Sequence, residues 1–499
     1  MITTDPRPLP PEPGAVPAAR ELFVRTVEID DVGDLLAALP HADPALTFSW
    51  VRRGEGVVGW GEALRIETSG ADRIAAADRA WVAAVSAMTV EDGVRLPGTG
   101  PVAFGSFAFS AGSPAGGVLV VPEVVLGRRE GRSWLTTVRG AAGDEPGADE
   151  LGVEQPGVEQ PGVEHLGVEH SGVDDLGLDD LGLGPASVAA TARTPSPAPV
   201  TSPGEVRYAD GALSAREWSA AVAGVIARIR AGEVVKVVMA RDVVATTERP
   251  LDVRHLLTRL AEGYPGCWTF SVDRLVGATP ELLVRREKGL AACRVLAGTI
   301  RRTGDDADDL RRAAELARSS KDLEEHELAV ASLVRALRPY CASINVPEAP
   351  FVLHLPNVMH LASDVTGVVD GALGHPSTYR THTPGGSGPS SLALAAALHP
   401  TAAVGGTPTP AALAVLAEAE QMDRGRYAGP VGWIGADGDG EWGIGLRSGE
   451  IAADDPRRIR LFAGCGVVAA SDPAAELAES EAKLQPMREA LAQTGAPRP

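Results

Sequence analysis

A five-residue repeat divides this chain. From Gly152 it reads Gly-Val-Glu-Gln-Pro twice, then Gly-Val-Glu-His-Leu, Gly-Val-Glu-His-Ser, Gly-Val-Asp-Asp-Leu and Gly-Leu-Asp-Asp-Leu. A period of five matches neither the helical turn nor the alternation of a strand. Each unit sets one or two apolar side chains against a glycine and one or two acids, too little burial to offset backbone ordering. The run Thr194-Pro-Ser-Pro-Ala-Pro-Val-Thr-Ser-Pro203 follows and reads as a linker. Residues 141–205 are therefore expected to be disordered. A compact fold must then be assembled from the flanking segments, 20–140 and 206–499, with 1–19 as a disordered tail. His165 and His170 stand five apart inside the repeat, and repeat expansion accounts for them more simply than a metal site does.

The repeat also carries much of the charge. Of the net −20, twelve acids lie between Arg139 and Arg193, where there is no Lys or Arg; setting them aside takes the net charge from −20 to −8. That balance argues against nucleic acid or an anionic membrane as partner, and leaves room for an anionic small molecule if local cations or a metal receive it. No apolar run approaches the ~18–20 residues needed to cross a bilayer. Met1–Pro11 has no apolar signal core. Cys267, Cys293, Cys341 and Cys465 form no CxxC pair, which suits a reducing cytoplasm and opposes a disulfide framework or zinc site. A cytoplasmic protein, monomer or homodimer, is expected.

Residues 20–140 read as β-rich. Leu46–Val51 and Gly56–Trp60 look like strands joined by Arg52-Arg53-Gly54-Glu55, a helix is expected over about Asp72–Met88, and further strands over Pro101–Phe109 and Gly117–Leu126, the latter interrupted at Pro122. No catalytic constellation stands out there, and a scaffold sheet is expected.

After Arg207 the candidates accumulate. Lys236 lies inside the apolar run Glu233–Val244. Burial would depress such a lysine toward general-base use, while an edge-strand lysine reaching solvent is the plainer alternative. Glu281 follows a Gly-Ala-Thr-Pro turn among apolar residues, a setting that raises a carboxyl toward general-acid use unless it is simply a solvated hairpin glutamate. Gly298 and Thr299 belong to an expected Gly-Thr turn that presents backbone donors. Asp305–Arg338 reads as one or two helices, with Glu325 opposite the apolar arc beside Ala329 and Ser332, a solvated face unless it lines a cleft. His326 falls near the arc as a core histidine, and His360 in a strand-like run as a half-buried one. Arg447 near a strand end could hold a carboxylate bidentately or sit on the surface. Near the C-terminus, Ala463-Gly-Cys-Gly-Val-Val468 leads to Asp472, a good N-cap, and Pro473 at the first helical position. Glu476, Glu479 and Lys483 then share one helix face, able to hold a divalent metal and an anion together or merely a solvated i,i+4 pair.

The order of these segments is more telling than any one of them. Lys236–Arg241, Gly277–Leu283, Ala297–Arg302, Ser320–His326, Val358–Leu361, His399–Pro408, Tyr427–Trp433 and Ala463–Val468 together resemble the chorismate-utilising enzymes over about residues 207–490, most closely the branch that isomerises chorismate to isochorismate. The resemblance implies an α+β fold with two antiparallel β-sheets flanked by helices and a central cleft. It implies Mg2+ held by Glu325 and Glu479 with Glu476 assisting, Lys236 as general base on water and Glu281 as general acid. It implies Tyr427 and Arg447 at the enolpyruvyl carboxylate, with Gly298, Thr299, His360, Gly464, Gly466 and Lys483 lining the site. Cys465 departs from the family, which usually has alanine between the two glycines. Ammonia-using relatives commonly lack the base lysine, and one group carries a lysine nucleophile where this chain has Ala297. Salicylate synthase and a non-catalytic chorismate-binding paralogue are the alternatives. A product feeding menaquinone or a siderophore fits equally.

Overall fold

The computed structural model describes residues 21–40, 43–140, 199–369 and 388–492. The repeat and the first half of the Pro/Ser run lie outside these residues, as does the expected tail over 1–19. The described strands alternate as a half-buried sheet requires, or are buried throughout where both faces are covered. Leu22–Ile29 buries Leu22, Val24 and Thr26 and turns the residues between them outward. Val102–Phe107 and Gly117–Val121 are buried at every position.

Among the described residues the strands form two sheets, of thirteen and ten strands, paired almost wholly antiparallel. The parallel pair of Leu22–Ile29 with Thr89–Asp92 is an exception at one edge. Both sheets draw on both halves of the chain. Thr47–Arg52 pairs with Trp268–Val272 in the larger sheet, and Val102–Phe107 pairs with Pro430–Gly435 in the smaller. The Trp50 and Trp268 indoles both donate to Glu441 Oε2, at 2.8 and 3.0 Å, and so tie one sheet to the other. The N-terminal segment is thus part of the same two layers as the rest.

Helices cover these layers. Ala215–Arg230 starts at a reciprocal capping box between Ser214 and Glu217 and sinks Trp218, whose indole donates to Ala240 O at 3.0 Å. Ser320–Leu337 packs on Leu290–Arg301 and Val358–Val369 of the smaller sheet. Pro473–Leu491 packs on Arg458–Val467 of the larger. Asp472 caps it as expected, accepting from the amides of Ala474 and Ala475 at 3.0 and 2.9 Å. No described helix is long and apolar enough to cross a membrane.

Several expectations change. Pro122 does not interrupt one strand; it separates Gly117–Val121 in the smaller sheet from Val124–Arg129 in the larger. Gly298 is not in a turn. It lies within the long strand Leu290–Arg301, at a register shift opposite Leu361 and His360, with φ +79°, the backbone of a bulge that favours glycine. Ala329, read as solvent-facing, is buried, because the helix that carries it is covered on more than one side. The end of the expected linker also packs. Thr201 N donates to Asp252, Arg249 N to Pro203 O, and Glu248 N to Glu205 O, and Pro203 and Gly204 are buried.

Candidate active site

Two crossings between the sheets create the seam on which the site is built. The chain leaves the larger sheet at Leu275–Thr279, passes Pro280 and Glu281, and enters the smaller one at Leu282–Glu287. It returns from Gly440–Ile444 through Arg447 to Ser448–Ile451. The crossings are laced together, with Ile444 N donating to Glu281 O at 3.1 Å and Ala278 N to Arg447 O at 3.2 Å. Arg447 takes a left-handed φ of +50°. Glu281 and Arg447 are 5% and 8% exposed and face one cavity.

The other walls are regular elements. Lys236 opens the strand Lys236–Thr247, whose neighbour Arg458–Val467 sets Gly466 against Val238 and Gly464 against Ala240. These glycines leave room. A Cβ on Gly466 would lie 3.0 Å from Lys236 Cε, and one on Gly464 2.9 Å from Met239 O and 3.3 Å from the Tyr427 hydroxyl. The smaller sheet supplies Gly298, Thr299 and His360; the helix Ser320–Leu337 supplies Glu325; the helix Pro473–Leu491 supplies Glu476, Glu479 and Lys483. Tyr427 stacks on Phe462 at 4.9 Å. Every residue singled out from the sequence as a site candidate lines this cavity.

The electrostatics sort these groups. Burial pushes the Glu281 carboxyl up to about 8, against the opposing pull of Lys236 and Lys483, so it holds a proton at neutral pH. Burial, reinforced by the Arg447 and Lys483 charges, drives His360 well below its ordinary value and keeps the ring neutral. Its Nδ1 is 3.0 Å from Thr299 Oγ1 and its Nε2 3.5 Å from Arg447 Nη2. A guanidinium only donates, so the ring proton belongs on Nδ1. Burial lowers Arg447 and raises Tyr427. Lys236 Nζ meets Glu325 Oε1 at 2.5 Å. Lys483 Nζ meets Glu479 Oε1 at 2.6 Å and Gly464 O at 2.9 Å. Glu476 is raised by burial and then by the neighbouring Glu479 charge, and bonds to Ser471 and Cys465 oppose that shift.

The carboxylates Glu325, Glu476 and Glu479 form an all-oxygen set, which fits a hard divalent cation in kind. Among the described residues no three His, Cys, Asp or Glu side chains converge as metal ligands. Two of the three carboxylates are engaged by ammonium groups, Glu325 by Lys236 and Glu479 by Lys483.

Asp322, Arg424 and the Ala403–Val404 segment also line the cavity and were not singled out from the sequence. Asp322 stands three residues before Glu325 on the same helix, a spacing that could have revealed it. Arg424 gave no such signal. It is 3% exposed, donates to Val404 O at 2.9 Å and Val238 O at 2.6 Å, and pairs with Glu420, which accepts from Ala240 N at 2.7 Å. The pair ties the 401–408 loop to the Lys236 strand.

A family profile described as chorismate binding enzyme matches residues 18–149 and 188–492. The chain is 39% identical over 277 residues to the isochorismate synthase DhbC of Bacillus subtilis, covering 53% of this chain and 65% of that one. It is 38% identical over 317 residues to the salicylate biosynthesis isochorismate synthase of Pseudomonas aeruginosa, covering 62% of each. The alignments thus span less than two thirds of either relative. The crystal structure of a putative 2,3-dihydroxybenzoate-specific isochorismate synthase, DhbC, from Bacillus anthracis superposes with a TM-score of 0.65 at 27% identity, over 92% of this chain and 98% of that one.

Proposed function

We propose, because the chain belongs to the chorismate-binding enzyme family, that it isomerises chorismate to isochorismate, with Lys236 as general base and Glu281 as general acid. One observation carries the reading: a buried carboxyl that keeps its proton to about pH 8 faces the same cavity as Lys236. The reaction adds a hydroxyl at ring carbon 2 and expels one from carbon 4. Lys236 takes a proton from the attacking water once its amine is free of Glu325. Glu281 gives its proton to the departing hydroxyl, which leaves as water; burial makes the neutral acid a ready donor. Arg447 and Lys483 supply the positive charge that an anionic substrate needs in a chain of net −20. The neutral His360, held between Thr299 and Arg447, fixes the guanidinium and adds no charge of its own.

Mg2+ held by Glu325 and Glu479, with Glu476 assisting, would neutralise the ring carboxylate and make the diene a better electron sink. Their oxygen-only chemistry supports that choice. The ion would compete with Lys236 and Lys483 for Glu325 and Glu479.

Chromatography of a chorismate reaction near neutral pH, with and without Mg2+, tests the reading. A reversible mixture of chorismate and isochorismate, formed only with the metal, is expected. Salicylate and pyruvate as the main early products would reject it in favour of salicylate synthesis, and unconsumed chorismate would reject catalysis altogether. Whether the product feeds a quinone or a siderophore is a separate question, answered by comparing growth of a deletion strain under iron limitation with its quinone content.

A further inference from the structure

Glu281 borders a second cavity. It holds about 110 Å³ and shares Glu281 and Ala403 with the substrate cavity. Its remaining wall is mostly apolar, including Leu283, Val295, Leu333 and Ile444, with Arg294, Ser332, His399 and Thr401 as its polar members. His399 and Pro400 border both this cavity and a wider groove on the other side, where Ser110, Ala111 and Gly112 are exposed to solvent. His399 and Pro400 therefore stand between the solvent-facing groove and the cavity that Glu281 borders.

Two buried polar atoms of this segment have no hydrogen-bond partner among the described residues: His399 Nδ1 and Thr401 Oγ1. His399 Nε2 lies 3.0 Å from Phe109 O. A carbonyl only accepts, so Nε2 carries the proton and Nδ1 presents a bare lone pair. Burial supports that assignment by pushing the ring down to about 4. Buried polar atoms left without protein partners are normally met by ordered water, and the cavity has room for several molecules at roughly 15–30 Å³ each.

We propose that this second cavity is a water-filled rear entrance through which Glu281 recovers its proton between turnovers, with Thr401 and His399 positioning the water. The inference rests on the isomerase reading above. There, each turnover leaves Glu281 as a carboxylate, its proton having gone to the departing hydroxyl. The carboxylate takes a proton from cavity water, that water takes one from solvent or buffer acid through the groove, Lys236 returns to solvent the proton it took from the attacking water, and no electrons move. The acid is then reset without passing its proton through the substrate cavity, which serves Lys236.

The test is Thr401→Val, which keeps the shape and removes the hydroxyl. Its first-turnover rate, measured with enzyme in excess over chorismate, is expected to equal that of wild type, because the acid begins protonated. Its steady-state turnover is expected to fall roughly ten-fold, the effect of about one hydrogen bond on a barrier. A small buffer acid should restore that loss, the solvent deuterium effect on steady-state turnover should rise, and Thr401→Ser should behave as wild type. A merely structural role would slow both phases together and would not respond to buffer; either that result or unchanged steady-state turnover overturns the route. Should Thr401→Val fail to fold, Ser332→Leu, on a half-exposed helical position, plugs the same cavity and is read by the same pair of rates. Wild type that forms no isochorismate in the first turnover overturns the isomerase reading itself, and the route with it.

Discussion

Glu281→Gln should separate the stability of this protein from its activity, and the separation should grow with pH. The carboxyl titrates near 4.5 in an ordinary setting and is pushed up to about 8 by burial in the fold. Below the lower value it is protonated in both the folded and the unfolded chain and favours neither. As pH rises between the two values, the unfolded chain releases this proton and the folded chain keeps it. The unfolded state then binds fewer protons, so stability falls with pH, by about 1.4 kcal/mol per pH unit and about 5 kcal/mol in all before levelling off above the folded value. Glutamine has the same shape and no proton to lose. Its stability relative to wild type should therefore climb from about pH 5 to about pH 8 with that slope. Urea titrations of both variants across this range, compared at the first cooperative transition, read the difference directly. The same substitution should cut turnover by roughly 10²–10⁴, the usual worth of a positioned acid. A stability difference that stays flat with pH would refute the buried, protonated acid.

Lys236→Ala should abolish turnover while chorismate binding and folding persist, read by calorimetry and circular dichroism; near-wild-type turnover would remove the base assignment. Arg424→Met should destabilise the chain by about 3–5 kcal/mol, because it strands the buried Glu420 carboxylate, and Glu420→Gln in the same chain should recover much of the loss in a denaturant titration. Replacing residues 141–198 with a Gly/Ser segment of similar length should leave turnover largely unchanged, and loss of soluble protein would show that the native segment packs.

Local patterns foretold some of this structure well. Asp472 and Pro473 announced a helix start because capping depends on neighbours in sequence. Arg53 and Gly54, both left-handed at φ 55° and 76°, close the hairpin between Thr47–Arg52 and Glu55–Trp60 where the turn was read. Partition between the sheets was not legible, since the alternation of a strand is the same in either layer. Pro122 therefore looked like a defect when it marks a change of layer. Periodicity assigned Glu325 to water, because a polar cavity and bulk solvent impose the same pattern on a helix. Family resemblance, not spacing, pointed it inward. Glu420 and Arg424 were invisible for another reason: what matters about them is their bonds to Val238, Ala240 and Val404, which no local window contains.

The ends of the larger sheet set a length requirement on the segment that joins them. Leu22–Ile29 pairs with Arg132–Gly140 near one edge, and Val206–Asp210 forms the other. Nine strand-to-strand steps separate Arg132–Gly140 from Val206–Asp210, at most about 43 Å along the sheet at ~4.8 Å per step. A flexible chain has that root-mean-square reach at about 60 residues, whereas about a dozen would cover it only when drawn taut. A connector near the shorter limit would act as a spring across the layer, pulling the edge strand beside Lys236–Thr247 toward the opposite rim. A connector near the longer one exerts almost no tension, so its length could drift in evolution while the catalytic seam stays undisturbed.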